Sequence, residues 1–191
     1  GTDGDTIVFD LETNGLLNDA TRIHCVSLYS KETNEIDSFN DEKYADNPKD
    51  LPMAGQYSVT TALGWLECAD YIVGHNIINF DIPIIKKLYP WFNPRGTIVD
   101  TLLLSRLYHP NLFDIDKDKN WQHMPLQLYG RHSLEAYGYR LGEYKGAFGK
   151  TTDWSDWSQE MQDYCEQDVV VTTKLCDHFH QYLSGSKWST R

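Results

Sequence analysis

The stretch Thr6-Ile7-Val8-Phe9-Asp10-Leu11-Glu12-Thr13 sets a three-residue apolar run directly before two carboxylates spaced two apart. Read as a strand over Thr6 to Leu11, its period of two puts Asp10 and Glu12 on one face at the strand's C-terminal end. A second apolar run, Tyr71-Ile72-Val73, is followed by Gly74-His75-Asn76. Asp81 then opens a helical pattern containing Ile84, Ile85 and Leu88. This spacing places a third carboxylate near a helix N-terminus beside the first strand. A long helical segment near the C-terminus carries Asp168, with Tyr164 four residues earlier and therefore on the same face.

Carboxylates gathered without matching bases repel one another, and burial raises the cost further. Such a group calls for cations. Hard oxygen donors favour Mg²⁺ or Mn²⁺, and two such ions about 3.5 to 4 Å apart clamp the attacking and leaving oxygens of a phosphoryl transfer. The expected chemistry is phosphodiester hydrolysis.

In this order the motifs resemble the DEDD family of 3′-to-5′ exonucleases. Asp10-x-Glu12 matches the first motif, Asn76-x-x-x-Phe80-Asp81 the second and Tyr164-x-x-x-Asp168 the third. The histidine branch of that family has His five residues before the last Asp. Asp163 stands there in this chain, so the resemblance is to the tyrosine branch. The segments VDTLLLSRLYHPNL, RHSLEAYGYRLGEYKG and MQDYCEQDVVVT look like the proofreading domain of family A replicative DNA polymerases from short-tailed bacteriophages, and the likeness runs from about Thr6 to Leu183.

The resemblance implies a ribonuclease-H-like fold and removal of nucleotides from DNA 3′ ends. It implies a two-ion site of Mg²⁺ or Mn²⁺, with Asp10, Glu12 and Asp168 holding one ion, Asp10 bridging to the other, and Asp81 binding that second ion. Tyr164 would orient the attacking water. It would not be the main base, because a phenol of pKa near 10 stays protonated at neutral pH. The implied partners are single-stranded DNA 3′ ends and a DNA polymerase domain or subunit, with no membrane. The implied setting is the cytoplasm, that of the infected bacterial host for a phage-encoded chain. Two rivals remain, a 3′-to-5′ exoribonuclease using the same carboxylates and a non-catalytic nucleic-acid-binding module. A pure binding module gains nothing from clustered repulsion.

The fold expected is a mixed α/β sheet flanked by helices. Strands are expected at Thr6 to Leu11, Ile23 to Tyr29, Glu35 to Phe39, Tyr71 to Gly74 and Thr97 to Asp100, the first three as an antiparallel meander and the later two as parallel additions. Helices are expected at Ser58 to Ala69, Asp81 to Leu88 and Thr101 to Tyr108. The final helix is expected to be capped near Ser158 and held by packing across Val169-Val170-Val171. Asn40 to Met53 and Phe113 to Gln127 read as loops. Asp114-x-Asp116-x-Asp118 imitates a calcium loop but has Lys119 where glycine belongs and Pro125 where glutamate belongs, so a solvated loop is expected.

The 191 residues fit one exonuclease domain, 1–191, with its core at about 6–183 and short flexible ends. No signal pattern and no run of 18 apolar residues is visible, which reads as an intracellular soluble chain. Cys25, Cys68, Cys165 and Cys176 lack CxxC spacing and read as small buried residues, with neither zinc nor disulfide. Net charge is −11. With the four ligands set aside, 24 acidic residues against 17 basic still leave −7. Long-range electrostatics therefore oppose DNA binding, so the site is expected to grip a few terminal nucleotides while a partner supplies the rest.

Thr13, Leu16 and Asn76 are the candidate substrate contacts. Thr13 either touches the terminal nucleotide or ends the strand. Leu16, after the Asn14-Gly15 turn, is either core or an apolar wedge against terminal bases. Asn76 either bonds the DNA or catalytic loop or serves as a turn residue. His75 is a poor ligand for a carboxylate-rich magnesium site. Arg131, His132 and Lys145 are phosphate-contact candidates or plain surface charges. Trp154 and Trp157 either stack on bases or pack the start of the last helix, and packing is expected.

Overall fold

The computed structural model describes residues 4–42, 57–144 and 153–183. Five strands form one mixed sheet in the order β3-β2-β1-β4-β5. The central strand β1 (Thr6–Thr13) pairs antiparallel with β2 (Ile23–Ser30), which pairs antiparallel with β3 (Glu35–Phe39). On its other side β1 runs parallel to β4 (Tyr71–Gly74), and β4 runs parallel to β5 (Thr97–Asp100). Meander and parallel additions thus meet at β1, as the sequence pattern predicts.

The period of two along β1 divides the interior. Ile7, Phe9 and Leu11 pack on one face with Leu63 and Leu66 of α1 (Val59–Cys68) and Ile84 and Ile85 of α2 (Ile82–Leu88). Val8 faces the other way and packs with Val73 and with Val169 of α6, the 25-residue helix Gln159–Leu183. Each such aliphatic or phenyl side chain stabilises by about 1.5–3 kcal/mol when fully buried. Asp10 and Glu12 share the parity of Val8, so the same alternation turns them toward α6.

Side-chain caps start the helices where the sequence places them. Ser58 Oγ accepts from Thr61 N at 3.3 Å, and Ser158 Oγ accepts from Met161 N at 3.1 Å. Val169 and Val171 are both buried in α6, so packing offsets their weak helix propensity. Asp100 closes β5 and caps α3 (Thr101–Tyr108), accepting from Leu102 N at 2.9 Å. Among the described residues no helix is long and apolar enough to cross a membrane.

The expected loop from Phe113 to Gln127 is corrected. Leu112–Lys119 is a helix, α4, and a 3₁₀ turn covers Leu126–Leu128. Asp116 is not solvated but fully buried. It accepts from Arg140 Nε and Nη2 at 2.9 and 2.7 Å, from Trp121 Nε1 at 2.9 Å and from Gly130 N at 2.8 Å. Burial alone would raise its pKa, but these donors hold the carboxyl below its ordinary value. Removing one partner of such a buried pair costs about 3–5 kcal/mol. Arg140 ends α5 (Leu134–Arg140), a helix absent from the sequence expectations. Leu112, Tyr137, Val171, Leu175 and Phe179 form a second core that joins α4 and α5 to α6. Lys145 and most of Asn40 to Met53 lie outside the described residues.

Candidate active site

Three backbone arrangements bring the carboxylates together. The first is the end of β1, where Asp10 lies opposite Ser27 and Glu12 opposite Cys25, and the register slips between Glu12 and Thr13. Such an irregularity at a strand end re-aims the chain that follows.

The second arrangement begins at Gly74, the last residue of β4. A Cβ there would stand 2.3 Å from Ile77 Cγ2 and 3.1 Å from the Phe9 carbonyl oxygen, so only glycine admits this close turn. Asn76 follows in the left-handed region, with φ 61° and ψ 29°, and a single π-helical turn over Ile77–Asp81 delivers Asp81 to the interior. Asn tolerates this conformation better than other side chains. Asp100 fixes the turn by accepting from Asn76 N at 2.9 Å and Ile78 N at 3.1 Å. π-helical turns recur at functional sites.

The third arrangement is α6. Its inner face carries Tyr164, Cys165 and Asp168, and the Cys165 thiol donates to the Asp10 carbonyl oxygen at 3.3 Å. Ligand atoms of Asp10, Glu12 and Cys165 all lie within 4.8 Å of one another.

The electrostatics unite all five expected catalytic residues. Burial first, then the charge of Asp81, raises the Asp10 pKa to about 8. Glu12 is raised by burial and by Asp10 and Asp168. Asp81, nearly fully buried, is raised by burial and by Asp100 and Asp168, and Asp168 by burial and by Asp10. Burial and the charges of Asp168, Glu12 and Asp10 push the Tyr164 phenol up as well, which keeps it protonated at neutral pH. Asp10 Oδ2 is buried and has no hydrogen-bond partner. Crowded hard oxygens and an orphaned carboxylate oxygen fit a divalent cation such as Mg²⁺ or Mn²⁺. Burial raises the Cys165 pKa, and its thiol proton is engaged by the Asp10 carbonyl.

The remaining sequence candidates divide. Thr13 is buried, and its hydroxyl donates to the Gly15 carbonyl at 2.6 Å, which shapes the turn after β1. Leu16 is 73% exposed, so the core reading of that residue is excluded. His75 uses both ring nitrogens, with Thr101 Oγ1 at 2.8 Å and the His132 carbonyl at 2.9 Å, and burial lowers its pKa to about 4. The His132 ring is bonded to Ser105 Oγ at 2.6 Å, which removes one nitrogen from any phosphate contact. Trp154 and Trp157 pack against Cys25, Met161 and Cys165 as expected. Cys25 and Cys165 are buried, Cys176 is half-buried, and Cys68 is exposed, contrary to expectation. Asp100 and Cys165 were missed as site-shaping residues. The helix-capping frame Val99-Asp100-Thr101 could have signalled the first, while nothing local signals the second.

A mixed sheet whose central strand and closing helix present facing carboxylates is the ribonuclease-H-like architecture. The chain belongs to the RNase H superfamily, whose family profile matches residues 7–180, and is an RNase H-like nuclease domain. It is 35% identical over 197 residues to the DNA-directed DNA polymerase of Escherichia phage T7 and 33% identical over 193 residues to that of Enterobacteria phage T3. Each match covers 90% of this chain but 26% of the relative, so the chain spans about a quarter of the length of these curated relatives. Among solved structures, Brucella melitensis NrnC bound to pGG superposes with a TM-score of 0.60 at 18% identity, over 97% of this chain and 76% of that one. A further NrnC structure contains bound Mg²⁺.

Proposed function

We propose that this chain is a metal-dependent 3′-to-5′ exonuclease of the tyrosine-type DEDD branch, releasing nucleoside monophosphates from single-stranded or frayed DNA ends. The observation that carries this reading is the convergence of Asp10, Glu12, Asp81 and Asp168 in one buried, mutually repelling group, with Tyr164 one helical turn before Asp168.

In this reading Asp10, Glu12 and Asp168 hold one divalent ion, Mg²⁺ or Mn²⁺. Asp10 and Asp81 would hold a second. Divalent ions bound there would supply activation of the attacking water and charge stabilisation of the leaving oxygen. Tyr164 keeps its proton and orients the attacking water in line with the last phosphodiester. Asn76 and Thr13 shape the loops on either side of the substrate, and Leu16 lies against the terminal bases. Residues 6–183 form the exonuclease unit.

The match to DNA-directed DNA polymerases of two phages supports DNA proofreading in the cytoplasm of an infected host, beside a polymerase domain or subunit that supplies most of the DNA grip. The residual charge of −7 outside the four ligands supports that division of labour. Digestion of matched DNA and RNA oligonucleotides with Mg²⁺ or Mn²⁺ tests the proposal. Faster release of single 3′ nucleotides from DNA supports it, whereas preference for RNA transfers the function to an exoribonuclease.

A further inference from the structure

Between β1 and β2 the chain makes a compact turn, Asn14 to Arg22, that hangs directly from the strand carrying Asp10 and Glu12. Its base is sewn by Asn14. The Asn14 backbone N–H donates to the Arg22 carbonyl at 3.3 Å, and Asn14 Oδ1 accepts from Thr21 N at 2.9 Å and Arg22 N at 3.2 Å. At its tip the N–H groups of Asp19 and Ala20 both donate to the Leu16 carbonyl, at 3.0 and 2.7 Å, so the tip is one helical turn.

A single helical turn leaves its later carbonyls without partners. Here one side chain collects three of them. Lys87 Nζ, from the last turn of α2, donates to the carbonyl oxygens of Leu17 at 2.9 Å, Asn18 at 3.1 Å and Ala20 at 2.8 Å. An ammonium has three donors and no acceptor, so this arrangement uses all of its hydrogen-bonding capacity. Two consecutive leucines then part company. Leu17 packs against the main core, while Leu16 is left pointing into solvent. An exposed leucine on a loop tied at base and tip is an apolar surface held in place, not a floppy one.

We propose that Lys87 is a positioning residue for the substrate. By gathering the three carbonyls it fixes the Asn14–Arg22 turn on α2, and so holds Leu16 at a set distance from the Asp10–Glu12 strand, where the last bases of a single strand stack on it. This rests on the exonuclease reading above. It adds that an amine far along the sequence, with no contact to the nucleic acid, sets the grip on the 3′ end. A fixed apolar platform gains affinity because its ordering cost has been met before binding.

The test uses the whole chain with Lys87→Met, Leu16→Ala and the double variant. Affinity for a single-stranded DNA oligonucleotide is measured in Ca²⁺, and steady-state hydrolysis in Mn²⁺. Lys87→Met should weaken binding and raise KM about tenfold, toward the lower end of the range for losing a base-stacking contact. Its kcat should stay unchanged, since the carboxylates and Tyr164 are untouched. In the Leu16→Ala background the lysine change should add nothing, because the two act through one contact. Unchanged affinity in Lys87→Met, a fall in kcat in place of a rise in KM, or additive losses would overturn the proposal. Leu16→Ala alters an exposed side chain and should fold even if Lys87→Met does not, and unchanged affinity in that variant would overturn it equally. Wild-type protein that binds DNA with this Lys87 dependence but hydrolyses none would strike the exonuclease reading and leave the lysine's role standing.

Discussion

The Cys165 thiol donates to the backbone carbonyl of Asp10 at 3.3 Å, a direct bond between α6 and the strand that presents Asp10 and Glu12. It ties α6 to β1 one turn from Asp168, beside the packing of Val169 on Val8. Cys165→Ala removes the donor and leaves a small void, costing about 1–3 kcal/mol. Cys165→Ser keeps a donor. Urea midpoints and turnover should therefore rank wild type above Ser above Ala. Equal turnover in the Ser and Ala variants would show that this bond does not set the site.

Tyr164 lies at the edge of the acid group and remains a neutral phenol. In the proposed mechanism it places water, so Tyr164→Phe should slow turnover by roughly 10² to 10⁴ while divalent-ion affinity, read by calorimetry, stays the same. Asp168→Ala should lose more, because it removes an ion ligand. An unchanged rate in Tyr164→Phe at saturating substrate would remove the phenol from the mechanism.

Burial, and then the charge of Asp81, raises the Asp10 carboxyl to about 8 in the folded protein, from an ordinary value of 3.8. Between those values the metal-free folded state holds a proton that the unfolded chain has released. The sign follows from linkage. Asp10 does not oppose folding below about pH 4, and it lowers stability increasingly as pH rises toward about 8. Asp10→Asn removes that dependence. In the absence of metal the melting temperature of the variant, relative to wild type, should climb from about pH 5 to about pH 8. A difference that stays flat across that range would contradict the repulsion on which the metal site is argued.

Much of this was legible locally. The alternation in Ile7-Val8-Phe9-Asp10-Leu11-Glu12 gives both the sheet's central strand and the side on which its carboxylates fall, because strand parity is a property of neighbours. Ser58 and Ser158 announce their helices by the same local logic. What stayed hidden depends on distant partners. The alternating acids Asp114, Asp116 and Asp118 look like a solvated loop until Arg140, 24 residues away from Asp116, is brought under them to make α4 a helix with a buried carboxylate. The left-handed Asn76 and the π-helical turn that aims Asp81 are held by Asp100, which no spacing rule connects to them. Cys165 is visible as a buried thiol, but its bond to the Asp10 backbone exists only once β1 and α6 are packed.

The most direct test of the catalytic account is a single comparison on end-labelled single-stranded DNA with Mg²⁺ or Mn²⁺, wild type against the Asp10→Ala, Glu12→Ala double variant. Wild type should release mononucleotides one at a time from the 3′ end and none without the ion. The double variant should keep a cooperative melting transition, without metal at a temperature no lower than wild type, and release nothing. Near wild-type digestion by the folded double variant, or release from the 5′ end, would contradict it.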